Sequence, residues 1–291
     1  MKFLSLMIVA SLLSPTVFAC SEDGTGGFLP ENDLSIPVGD KNAAGLTEEQ
    51  FNAVIDKYET IYGPIVAGMG GKLSVNRKWT DGTVNASAQR SGSTWVVNMF
   101  GGLARHATIT EDGFALVVCH EIGHHLGGAP KVKGFLGMNA WASNEGQSDY
   151  FATLKCLRQG FLNDDNAAIV GRMAVPALLS EKCTAEFDSE IDRNICIRGG
   201  MAGVSVAGLF AVLRNQPEGK FETPDAGVVT RTNDAHPAHQ CRLDTYFQGA
   251  LCEKAIGDDV DQKNEVAGTC HGSTGQTVGL RPVCWFKPSV Q

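Results

Sequence analysis

The stretch Leu116–His125, LVVCHEIGHH, carries His120 and His124 four positions apart with Glu121 beside the first. On a helix, residues so spaced share a face with Cβ atoms about 6 Å apart, so both imidazoles can reach one metal ion. Glu121 falls one position further round. There its carboxylate addresses a water on such an ion and not the ion itself, which is what a general base requires. Twenty-one positions after His124, in NEGQSD, stands Glu145, and Asp149 follows four residues later. A catalytic zinc takes three protein ligands and keeps one position open, and Glu145 supplies the third. Asp149, one turn on, is placed to accept a hydrogen bond from the second nitrogen of a ligating histidine and so fix its tautomer. The set predicts a Zn2+ site with His120, His124 and Glu145 as ligands and Glu121 as the base.

HEIGHH followed by NEGQSD resembles the gluzincin zinc metallopeptidases, in which HExxH and a downstream ExxxD glutamate bind the metal. Within that group the NExxSD form is similar to the thermolysin branch, while the Gly-Gly-Leu stretch and HEIGHH are similar to the HtpX and CAAX-prenyl-protease branch. Asp234-Ala-His236-Pro237 with Arg242 is similar to the HP…R element of the second branch, which we favour. The resemblance spans roughly residues 47–254, with specific motifs only at 120–149 and 236–242. It implies a zincin-like fold, hydrolysis of peptide bonds, and roles for His236 and Arg242 beside the metal and the transition state. The membrane-spanning helices of the integral members are not evident here.

Elements that would position these residues can be read from periodicity. Thr47 and Gln50 form a capping-box pattern ahead of Phe51, Val54, Ile55, Tyr58, Ile61, Tyr62 and Ile65 at helical spacing. Alternation at Leu73, Val75 and Trp79, an Asp81-Gly82 turn, then Val84, Ala86 and Ala88, and finally Trp95–Phe100 predict a small antiparallel meander. Trp95–Phe100 reads either as a core strand or as the edge strand that holds an extended peptide by strand addition. A helix from Glu111 stops at Gly127-Gly128, and a second runs from about Trp141 to Leu157. Met201–Leu213 is apolar but too short for a bilayer and reads as a buried helix. Its Gly199, Gly203, Ala207 and Ala211 allow close approach of a neighbour. A further helix is expected from about Pro237 to Lys254. His125, about 140° from His120 round the helix, reads as packing and not as a ligand. His106, His239 and His271 have no placed partner.

The first nineteen residues, MKFLSLMIVASLLSPTVFA, have a positive start, an apolar run and a small residue before Cys20, the pattern of a secretory signal peptide. Cys20 then either begins a soluble chain or takes a lipid in an imperfect lipoprotein box, the one route by which a membrane would be a partner. Apart from Cys20 there are eight cysteines of the nine, and no CxxC pair, so an exported chain with up to four disulfides fits better than a cysteine-only metal knuckle. Cys119 and Cys156 lie at nearly the same helical angle relative to the two metal-bearing segments and predict a bridge between them. Cys241 and Cys252 on one continuous helix would stand about 16 Å apart, so they should pair elsewhere, with Cys270 and Cys284 as candidates. Cys183 with Cys196 is a local pair.

The 291 residues suffice for a full core, and a net charge of −8 with no basic run argues against nucleic acid as a partner. The divisions expected are a signal peptide at 1–19, a leader or tether at 20–45, a metallopeptidase domain at 46–254, and a Cys-containing tail at 255–291 packed on it. The fold class expected is α+β, mostly helical with a small antiparallel sheet and disulfide support. The function expected is that of an exported zinc endopeptidase of the periplasm, envelope or exterior acting on polypeptides. The competing reading is a non-catalytic envelope scaffold braced by zinc and disulfides. Glu121 separates the two, because a purely structural site has no use for a carboxylate beside the metal.

Overall fold

The computed structural model describes residues 17–18, 27–41, 43–134 and 137–289. Cys20 and most of the expected signal peptide lie outside the described residues.

Helix α1 (Glu48–Gly68) starts on the expected capping box, with Thr47 accepting from the Gln50 amide, and buries Phe51, Val54, Ile55, Tyr58, Tyr62 and Val66. The chain then forms strands β2 (Lys72–Lys78), β3 (Ala86–Ser91) and β4 (Thr94–Phe100), and a two-residue β1 (Val17–Phe18) pairs antiparallel with Arg90 and Gln89. The order is β1-β3-β4-β2, with β3 and β4 antiparallel but β2 and β4 parallel. The expected meander is therefore a mixed sheet. Asp81-Gly82 does not close a hairpin: the Asp81 carboxylate accepts from the Thr83 amide (3.0 Å) and hydroxyl (2.7 Å), a local turn that carries the chain across to the far side of β4. Arg105, on the short helix α2 (Gly101–Arg105), fixes this crossing by donating to the carbonyls of Ile36, Trp79 and Asp81.

Trp95–Phe100 is thus an inner strand of the sheet, and the outer strands are β1 and β2; β3 is paired to β1 only at Gln89 and Arg90. Helix α3 (Glu111–Leu126) is capped by Thr110 and is buried on all sides from Asp112 onwards, between the sheet, α1 and the later helices. A helix apolar all round belongs in the middle of a core. The expected second helix begins later than its periodicity indicates. Trp141 lies in strand β6 (Asn139–Ser143), which pairs with β5 (Lys131–Lys133), and α4 (Glu145–Phe151) starts only after the Asn144 cap. A π-helical turn (Ala152–Cys156) then leads into α5 (Leu157–Phe161).

Short helices α6 (Asn166–Val170) and α7 (Ala177–Glu186) precede α8 (Glu190–Arg214). At 25 residues, α8 extends well beyond the apolar Met201–Leu213 run and is long enough to cross a membrane, yet 78% of its most apolar window is buried inside the protein. It packs on α3 and on α9 (His239–Leu251), where Gly199 and Gly203 face Ala250 and Tyr246. Residues 252–289 carry one 3-10 turn and seat Trp285 against Gly146 at the start of α4. The fold is α+β, predominantly helical with a small sheet, as the composition and periodicity implied.

All eight described cysteines are paired: Cys119–Cys156, Cys183–Cys196, Cys241–Cys284 and Cys252–Cys270. The first ties α3 to the π-helical turn, so the two segments that carry the candidate ligands are covalently joined. The leader, expected as a tether or a surface-hugging segment, is partly built into the core. Phe28 and Leu29 are fully buried and belong to the main core, and residues 34–36 run beside 82–84 with Ser35 bridged antiparallel to Thr83.

Candidate metal centre

His120 and His124 project from the C-terminal half of α3, and Glu145 from the first turn of α4. The two helices pack closely because residue 123 is glycine: a Cβ there would stand 3.1 Å from the Ser148 Cα and carbonyl oxygen. One ligand atom from each of the three residues lies within 4.8 Å of the other two, and all three side chains are buried. His120 Nε2 is 3.3 Å and His124 Nε2 3.7 Å from the Glu145 carboxylate.

Each imidazole is oriented through its other nitrogen. His120 Nδ1 donates to Asp149 Oδ1 at 2.7 Å, and His124 Nδ1 is held by the Ser143 carbonyl at 2.9 Å with the Ser148 hydroxyl at 3.0 Å. With Nδ1 as the donor, the neutral form of each ring presents its Nε2 lone pair to the same space. His120 Nε2 and both Glu145 oxygens have no hydrogen-bond partner among the described residues. Buried polar atoms left in this way, converging as two imidazoles and a carboxylate, form a group that could hold a metal ion.

Behind His120 sits a fully buried ion pair. Arg242 donates from Nε and Nη2 to the two Asp149 oxygens at 2.8 and 2.7 Å, and the Tyr246 hydroxyl adds a bond to Oδ1 at 2.8 Å. Arg242 therefore holds Asp149 and acts on the site through it. Tyr246 was missed in the sequence, although it lies four positions after Arg242 on the same face of α9 and was recoverable from that spacing. The histidine ahead of α9 behaves differently: His236 Nε2 lies 3.3 Å from Glu145 Oε2 and 3.0 Å from the Gly27 carbonyl oxygen.

Compared with family models, curated proteins and solved structures, the chain matches none. The chemistry of the site rests on its own geometry.

Burial alone would lower His120, but the Asp149 and Glu145 carboxylates outweigh it and hold this imidazole at about 9. His124, whose burial is not so offset, falls to about 4. Burial would also raise Glu145, yet His236, His124 and His120 keep it well below the usual carboxylate range. Glu121, buried beside the cluster, is pushed up to about 8 by desolvation, a position that a neighbouring cation would lower.

His125 is sandwiched between Trp95 and Trp141 at centroid distances of 5.4 and 4.8 Å and points Nε2 at the Val96 carbonyl, so it fastens α3 to the sheet and is no ligand. His106 bonds Thr108, His239 bonds the Pro217 carbonyl and His271 bonds Ser273, all away from the centre.

Proposed function

We propose that the protein is a zinc-dependent peptidase, exported to a compartment that keeps its disulfides oxidised, with extended polypeptides as substrates. The observation that carries this is Glu121: a buried carboxylate on the ligand-bearing helix, adjacent in sequence to His120 and not itself a member of the three-donor group. A site needing only structural metal would have closed around four ligands.

In this reading His120, His124 and Glu145 hold Zn2+, which supplies Lewis acidity toward a carbonyl and toward a water molecule. Glu121 takes the proton from the attacking water and returns it to the leaving amine. His236, through Nε2, donates to the carbonyl oxygen where negative charge develops. Asp149, anchored by Arg242 and Tyr246, keeps His120 in the tautomer that leaves Nε2 free for the ion. The side of β3 away from β4, beyond the Gln89 and Arg90 pairs to β1, would offer backbone groups to an extended chain, so affinity would come from the main chain. The likeness of these motifs to the gluzincin peptidases agrees with the assignment.

Chelation and reloading test it. Purified protein should contain one zinc per chain, lose hydrolysis of denatured casein on chelation, and recover it on adding one equivalent of Zn2+. Activity that survives complete metal removal would overturn the proposal, as would a zinc-replete protein that cuts no unfolded polypeptide.

A further inference from the structure

The protein's own leader lies against the start of β3. The Phe28 amide donates to the Ala86 carbonyl of β3 at 2.8 Å. Asn85 clasps the next residue from both sides, its Oδ1 accepting from the Leu29 amide at 2.9 Å and its Nδ2 donating to the Leu29 carbonyl at 3.3 Å. One residue upstream, the Gly27 carbonyl oxygen receives His236 Nε2, the group 3.3 Å from Glu145. One residue downstream of that carbonyl, Phe28 sends its own carbonyl oxygen to Arg242 Nη1 at 3.1 Å. Its ring is fully buried, edge-on to His120 at 4.8 Å and against Phe210 at 5.5 Å.

These are contacts a bound substrate would make: a main chain held at the start of β3 by one backbone bond and by Asn85, one carbonyl bonded to His236 beside Glu145, and the following side chain filling an apolar pocket. The residue before the bond is constrained too. A Cβ on Gly27 would overlap the Ala86 carbonyl oxygen and the Asn85 side chain.

We propose that the protein cleaves its own chain between Gly27 and Phe28, and that the same contacts set its preference: glycine before the scissile bond, a large aromatic residue after it. The proposal rests on the peptidase reading above. Water adds across the Gly27–Phe28 amide, the C–N bond breaks, Gly27 leaves as a carboxylate, and the Phe28 nitrogen takes the proton carried by Glu121. No oxidant or further reactant is required. Gly27 is then free to withdraw its carbonyl oxygen from His236. Phe28 and Leu29 remain as the new N-terminus until they leave the start of β3, so self-cleavage precedes the binding of any other chain in that register.

The test uses the full chain, produced where disulfides form and loaded with zinc, as wild type, Glu121→Gln and Gly27→Val. Intact mass and N-terminal sequencing should find wild type beginning at Phe28 and the other two beginning upstream of Gly27. Formation of the Phe28 terminus should slow on the order of 10²- to 10⁴-fold in Glu121→Gln. A readout independent of turnover is hydrogen exchange in metal-free Glu121→Gln, where the Phe28 and Leu29 amides should be protected. Exchange at the rate of an unfolded chain would overturn the proposal. So would a Phe28 terminus in Glu121→Gln, which would mean an outside protease, or wild type that digests casein with Gly27–Phe28 intact, which leaves the peptidase reading standing. Loss of both self-cleavage and casein hydrolysis in zinc-replete wild type would remove the peptidase reading and this proposal together.

Discussion

Replacing Arg242 with methionine separates the packing of the site from its electrostatics. The guanidinium is fully buried and makes two charge-assisted bonds to Asp149 and one to the Phe28 carbonyl. Breaking a buried ion pair from one side costs about 3–5 kcal/mol, because the remaining charge is left without its partner. Asp149 would retain His120 and Tyr246 as donors, which favours the lower end of that range, and the abandoned Phe28 carbonyl adds about 1 kcal/mol. The expected loss is therefore ~4 kcal/mol, readable by urea unfolding with disulfides intact and chelator present, so that metal linkage does not contribute. Zinc affinity should fall about 10- to 100-fold as Asp149 loses its fixed position beside His120. A second variant, Arg242→Met with Asp149→Leu, removes both charges and should recover most of the stability. It should not recover zinc affinity, since His120 then has no carboxylate to orient it. A single variant that costs under ~1 kcal/mol and binds zinc as wild type does would refute the role given to this ion pair.

Removing the Cys119–Cys156 bridge as a double alanine variant opens a loop of sequence separation 37 and should cost ~4 kcal/mol by chain entropy, with weaker zinc binding because α3 and the segment carrying Glu145 are no longer tied. Gly123→Ala places a methyl against the Ser148 backbone and should cost about 1–3 kcal/mol in chemical denaturation, again with loss of metal affinity as α3 and α4 are forced apart. Lys131 is lowered from 10.5 to about 7, first by burial and then by Arg90, so between those values the unfolded chain binds a proton that the native protein does not. Stability should accordingly rise with pH from about 7 to about 10, and Lys131→Met should flatten that slope in urea titrations.

The helices around the centre were legible because their signals are local. The Thr47 cap, the Glu111 start and the Gly127 stop each depend on residues within one turn. HExxH was legible for the same reason, since spacing on one helix puts His120 and His124 on one face; Glu145 joins them through the packing of α4 on α3 at Gly123, and was named because a catalytic zinc needs a third ligand. What failed depended on long-range pairing. Asp81-Gly82 carries the composition of a hairpin turn, but a crossover held by Arg105, 24 residues further on, decided the topology. Trp141 fits a helical period, yet pairing with β5 put it in a strand, and only the Asn144 cap marks the true start of α4. The leader was the largest miss. Residues 27–29 carry no period at all, and their burial follows from the start of β3 and the pocket between His120 and Phe210, neither of which any stretch of the leader reveals.

The central claim, that His120, His124 and Glu145 would hold a zinc ion and that Glu121 takes the proton from the attacking water, is tested most directly by comparing wild type with Glu121→Gln at equal, measured zinc occupancy. Both proteins should bind one zinc per chain, while hydrolysis of denatured casein by the variant falls on the order of 10²- to 10⁴-fold. Equal rates at equal occupancy would contradict the account, and so would zinc that remains tightly bound when His120, His124 and Glu145 are replaced by alanine.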